Sequence, residues 1–181
     1  MKLSEEEIRK FYRIWLNLIN YTNNKYNLVP NYANQLRPGN IDPNVIAPIK
    51  DRLWLDNTIL DEIISTKPNQ FSESDLLILD SWKNRVAEKF ILLKHLKNYS
   101  IFLGNNQVYG VTGLTSPIEE LLPSFALPLI VDAVLIPFEG KIIHDSILRT
   151  SSVHFGGGIK KQFQQDYREL KAQSGIITSL V

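Results

Sequence analysis

Two aspartates and two histidines near the end of the chain are the residues best placed to do chemistry. Asp132 interrupts an apolar run at 129–138, and His144 and Asp145 lie in the run that follows at 141–149. If Glu139-Gly140 forms a two-residue turn, Phe138 pairs with Lys141 and Val134 with Asp145. Asp132 then lies diagonally across from Asp145, at the ~7–8 Å that lets two side chains reach one cation or water. Carboxylates sharing an apolar face raise each other's pKa unless a cation compensates them. Such a pair fits a divalent-metal site or an acid–base couple. In the plainer alternative each aspartate caps a turn or pairs with a neighbour such as Arg149. A one-residue slip in register would also part them.

The histidines extend the set. His144 points away from Asp145, because successive strand side chains alternate. A triad of His144, His154 and a carboxylate needs a third strand folded back beside the second, and no spacing matches HExxH. Asp132, Asp145 and His144 are thus the catalytic candidates, and Asp132, Asp145 and His154 the metal candidates. No cofactor is required, and a divalent ion is the one this set would admit. His95 lies by a turn, where it is expected to be solvated.

A second candidate is Gly156-Gly157-Gly158 ahead of a helix beginning Ile159-Lys160-Lys161. Free backbone N–H groups, the helix dipole and two lysines favour an anion there. The plainer reading is a connection that lets the last helix pack. Thr150, Ser151 and Ser152 lack a GxSxG setting and are not expected to act as nucleophiles.

Composition narrows the classes. The chain has 181 residues, 44% hydrophobic and 22% charged, in the range of a single globular domain. It has no cysteine, which excludes disulfides and thiolate metal sites and agrees with a reducing compartment. The start, through Ser4-Glu5-Glu6-Glu7, carries no secretory apolar region, and the run at 127–138 is broken by Pro128, Asp132 and Pro137. A cytoplasmic protein without membrane contact is expected. The net charge of +1 argues against nucleic acid as a partner, because phosphate binding draws on a basic excess. A protein partner or self-association remains open.

The elements follow from periodicity. Ser4 with Glu7 makes a capping box, followed by Ile8, Phe11, Tyr12, Trp15, Leu16 and Ile19 on one helical face. Asparagines with Pro30, Pro38, Gly39 and Pro43 make 22–44 loop-like, and Asp42-Pro43 reads as an N-cap with proline at N1. Helices are expected at about 51–65 and from Ser72, capped with Asp75 at N3. Strands at 90–96, 99–103 and 107–114 turn at Lys97-Asn98 and Gly104-Asn105-Asn106. A short helix opens at Ser116-Pro117. The 129–138/141–149 hairpin follows, then a strand at 152–155 and a helix stopped by Gly175. The expectation is a single α+β domain, 1–181: helical over 1–86, an antiparallel meander or small barrel over 88–156, and a closing helix at 159–173.

The residues Val108-Tyr109-Gly110-Val111, the segment Leu135-Ile136-Pro137-Phe138-Glu139-Gly140-Lys141-Ile142-Ile143-His144-Asp145, the triple glycine and Tyr167-Arg168-Glu169-Leu170-Lys171 resemble a pattern in uncharacterised bacterial proteins of unknown function. That pattern expects glycine after the aspartate of the second arm, where this chain has Ser146. The resemblance implies that the second half is one unit and brings no catalytic residue with it. Three functional readings stand: a non-catalytic binding or interaction domain of a bacterial cytoplasm; a small metal-dependent or acid–base enzyme at Asp132 and Asp145; and a nucleic-acid-associated module using Lys160, Lys161, Arg168 and Lys171. A contiguous basic face would favour the third.

Overall fold

The computed structural model describes residues 1–32 and 42–180. The loop reading at Asn34, Pro38, Gly39 and Asn40 falls outside these residues. The chain divides into two compact units, Arg9–Lys83 and Met1–Ile8 with Asn84–Val181.

The Arg9–Lys83 unit is helical. Helix α1, Glu5–Tyr26, starts at the expected capping box: Ser4 N–H donates to Glu7 Oε2 at 2.8 Å, and Glu7 N–H to Ser4 Oγ at 3.3 Å. It runs past the expected end near Asn20. From Arg9 onward its apolar face supplies Phe11 and Trp15. Trp15 stacks on Trp54 at 6.0 Å and 15°, and Trp82 meets both edge-on. Asp42 caps α2, Pro43–Trp54, by accepting from Asn44 N–H at 2.9 Å. The single helix expected over 51–65 is instead the end of α2 and a separate α3, Thr58–Thr66. Asp56 causes the break: its Oδ1 accepts from Thr58 N–H at 2.8 Å, a local bond that competes with the helical ladder. Lys67, left-handed at φ 45°, ends α3 before Pro68. Ser72 and Asp75 form the expected box on α4, Glu73–Ser81. Arg13 grips the same buried Asp75 with both guanidinium nitrogens, at 2.6 and 2.7 Å, and this pairing pulls its pKa down to about 2.

The second unit is a closed barrel. Strand β1, Val86–His95, is followed by β2, Ser100–Gly104, and β3, Gln107–Thr112. A short helix α5, Ile118–Leu121, leads to β4, Leu129–Phe138, then β5, Lys141–His144, β6, Arg149–Thr150, and helix α6, Gly157–Ser174. The strand order is β1-β2-β3-β5-β4, closed by β1 on β4. Among the strands named here all pairings but one are antiparallel; β3 and β5 run parallel through Val111↔Ile142 and Thr112↔Ile143. The α+β class holds, and the sheet is mixed rather than antiparallel throughout. A parallel pair joins strands distant in sequence, so no turn announces it. Closure in this order makes a five-stranded mixed barrel, and barrels of this kind host unrelated functions.

The turns are legible from their residues. Asn105 and Asn106, at φ 47° and 54°, and Glu139 and Gly140, at 48° and 71°, are all left-handed, as tight hairpins of this twist require. The inner face packs Phe90, Leu92, Phe102, Tyr109, Val111 and Leu135. The outer face carries Leu93, Ile101, Leu103 and Val108, covered by Phe163, Tyr167 and Leu170 of α6. Beyond the helix-ending Gly175, Ile177 adds to the edge of β3, donating to Val108 O and accepting from Gly110 N–H, each at 2.8 Å.

Two expected strand assignments change. The arm 141–149 is interrupted: Asp145 N–H still reaches Val134 O at 3.0 Å, but the ladder resumes only at Asp132↔Arg149. Ser146, at φ 84°, begins the bulge. Residues 152–155 form no ladder, because pairing ends with Ser151 N–H on Ile130 O.

Two stability outcomes follow. Trp15→Ala should cost about 3–5 kcal/mol in denaturant unfolding, the range for removing a buried large aromatic. Ser146→Gly should raise stability by about 1 kcal/mol, by relieving a side chain at positive φ, and the urea midpoint reads both.

Candidate functional site

The two aspartates share a side of β4–β5 but not an environment. Asp132 is exposed, with Lys89 opposite it on β1 and Arg149 on β6. Asp145 is wholly buried. The bulge after Asp145 adds two residues to its arm, so the diagonal geometry of a continuous hairpin does not carry through. His144 is buried opposite Leu135, and His154 is exposed. No group of three or more His, Asp or Glu side chains suited to a metal occurs among the described residues. His95, expected in solvent, is bonded at both ring nitrogens. Nε2 donates to Leu122 O at 2.8 Å, and Nδ1 is hydrogen-bonded with Ser100 Oγ at 2.7 Å. It ties the end of β1 to the α5 connection.

The Gly156-Gly157-Gly158 segment opens α6 with Gly156 at the N-cap and no side-chain cap. A Cβ at any of the three would meet nothing within 4 Å. No close packing therefore calls for glycine here. Beside this turn lies a cleft of about 380 Å³ whose walls include Phe125, Pro128, Ser152, His154, Phe155 and Lys160. Phe125 is 90% exposed. Phe155 is held edge-on by Phe163 at 5.0 Å.

Helix α6 separates its charges. At ~100° per residue, Lys160, Lys161, Arg168 and Lys171 fall within an arc of roughly 100°. Lys160, Lys161 and Arg168 line one surface depression with Gln164 and Gln165. Lys94 of β1 joins them: its Nζ lies 3.9 Å from the Tyr167 ring centroid, and Lys171 Nζ lies 5.9 Å from it. Burial and then the charges of Lys171 and Arg168 push the Lys94 ammonium below its ordinary pKa. Among the described residues none of these five cations is in an ion pair. The acids of α6 lie on its other flank. Asp166 and Glu169 accept from Gln162 and Gln165 at 2.7 and 2.6 Å and border a groove with Asn105 and Asn106.

Lys94 was not a candidate from sequence, and neither was Glu88. Glu88 alternates with Phe90 and so turns inward at one end of the barrel. Its Oε1 is buried without a hydrogen-bond partner and lies only 2.4 Å from where a Cβ on Gly104 would stand. Burial raises its pKa, and its charge helps raise that of Tyr109. The signal available was an acid in step with core residues Phe90 and Leu92.

No protein-family model, curated protein or solved structure matches the chain.

Glu88 generates a pH prediction. A carboxyl raised in the folded state keeps its stabilising proton below its ordinary pKa, near 4.5, and loses it as pH rises through the higher folded value. Glu88→Gln should therefore raise the melting temperature at pH about 7 and give little gain at pH about 4.

Proposed function

We propose that this chain is a non-catalytic binding module of a bacterial cytoplasm, and that its ligand is an extended polyanion held on the basic arc of α6 and on Lys94. The observation that carries the reading is the placing of Lys94 and Lys171 over the Tyr167 ring, with Arg168 near enough to Lys94 for their charges to interact. Burial lowers the Lys94 pKa, the charges of Lys171 and Arg168 lower it further, and no carboxylate among the described residues pairs with the three. Unbalanced like charges cost stability, and a multivalent anion would relieve that cost. Lys160 and Lys161 lie about two to three helical turns from Arg168 and Lys171, which suits a chain of phosphates better than a single small anion.

The net charge of +1 does not oppose this. It is a sum over the whole chain, whereas the cations and acids of α6 occupy different flanks and an extended ligand meets only one of them. The lack of cysteine supports the reducing compartment. An enzyme at Asp132 and Asp145 draws less support, since one carboxylate is exposed between two cations and the other is buried.

Inorganic polyphosphate tests the reading by titration calorimetry on the full chain. The double substitution Arg168→Glu, Lys171→Glu on this exposed face should weaken binding by at least tenfold without lowering the melting temperature. With about three to four phosphates engaged, log Kd should rise with log salt at a slope of roughly 2–3. Binding unaffected by the charge reversal, or insensitive to salt, would dismiss the proposal.

A further inference from the structure

We infer that the polyanion is a single-stranded nucleic acid, and that the cleft beside the start of α6 takes one of its bases on Phe125. The inference rests on the basic arc as the phosphate track and adds the identity of the ligand. Lys160 belongs to both features: it lines the basic depression with Lys161 and Arg168, and it lines the cleft with Phe125 and Phe155. A strand whose phosphates follow the arc is thereby led to the cleft mouth.

The cleft has the chemistry of a base pocket. Phe125 sits in the 3₁₀ turn Ser124–Ala126 with its side chain 90% exposed, so its ring face is open to a ligand. Pro128, Leu129 and Phe155 supply apolar walls, and Phe155 is braced by Phe163. Ser151, Ser152 and His154 line the same space, with hydroxyl and imidazole groups able to meet the polar edge of a base. The volume, about 380 Å³, lies at the low end for ligand sites and suits one nucleobase with its sugar. Every base has an aromatic face, so an exposed phenylalanine at the end of a lysine track selects nucleic acid over other polyanions. A duplex keeps its bases stacked inside and cannot offer one to Phe125 without unpairing.

Titration calorimetry of the full chain against oligothymidylate, a duplex of equal length and inorganic polyphosphate separates the possibilities. Oligothymidylate should bind more tightly than the other two. Phe125→Ala removes a side chain that carries little of the fold. It should weaken oligothymidylate by about tenfold or more, the loss of one stacked base, and leave polyphosphate unchanged. Phe125→Trp should keep the affinity, and its exposed indole should be quenched by the strand. Equal affinity of Phe125→Ala and the parent chain for oligothymidylate would overturn the inference, as would a duplex bound as tightly as the single strand. Both results leave the polyanion reading intact if polyphosphate still binds through Arg168 and Lys171. Failure of the charge reversal to weaken polyphosphate would remove that reading on its own.

Discussion

The bend in β1 is the constraint on which the barrel depends. Val86–Leu92 of this strand pairs with β4, while its later residues pair with β2, so one strand serves both walls. The register slips between Leu92↔Phe102 and Lys94↔Ile101, leaving one extra residue on β1. The bulge bends the strand and resets its alternation. Before it, Glu88, Phe90 and Leu92 face inward. Counting by twos would put Lys94 inside as well, where its charge would find no partner among Phe102, Val111 and Leu135. The extra residue sends Lys94 outward with Leu93 and returns His95 to the pairing opposite Ser100, where both its nitrogens are bonded. Barrel closure and the cation cluster thus share one local irregularity.

Helix α6 completes that arrangement from the other side. The outer surface of β1–β3 is apolar, and Phe163, Tyr167, Leu170 and Ile176 cover it. It is thus closed by the chain itself, and the exposed side of the covering helix takes over as the surface offered to solvent. Tyr167 links the two layers: its ring is buried against the sheet, and its π face meets Lys94 and Lys171. The aromatic that fixes the helix also gathers the charges.

What could be read from the sequence was local. The capping boxes at Ser4–Glu7 and Ser72–Asp75, the Asp42 cap and the Glu139-Gly140 turn depend on residues within three or four positions of one another, and each is found as the residue types imply. Ser146 gives no local turn signal, and its positive φ is visible only in the folded backbone. The parallel pairing of β3 with β5, the edge added at Ile177 and the β1 bulge depend on partners far along the chain. The candidate site divides the same way. Lys160, Lys161, Arg168 and Lys171 were legible as a helical set, but Lys94 and Phe125 join them only through the folded geometry.

The magnitudes explain why the basic arc and the cleft belong together. Exposed charges are screened over about 8 Å at physiological salt, so a handful of cations on one helix yields weak and salt-sensitive attraction. Lys94 is the exception in kind: partly buried over an aromatic ring, it is less screened than the lysines at the start of α6. A ligand held by charge alone would be favoured near Tyr167 and only loosely retained toward Lys160. The exposed ring of Phe125 lies at that weaker end, where an apolar contact insensitive to salt contributes most. A polyanion without aromatic faces gains nothing from it, whereas a single strand gains at both ends. The division of labour between a charged track and one open aromatic is thus what gives this surface a preference among anions.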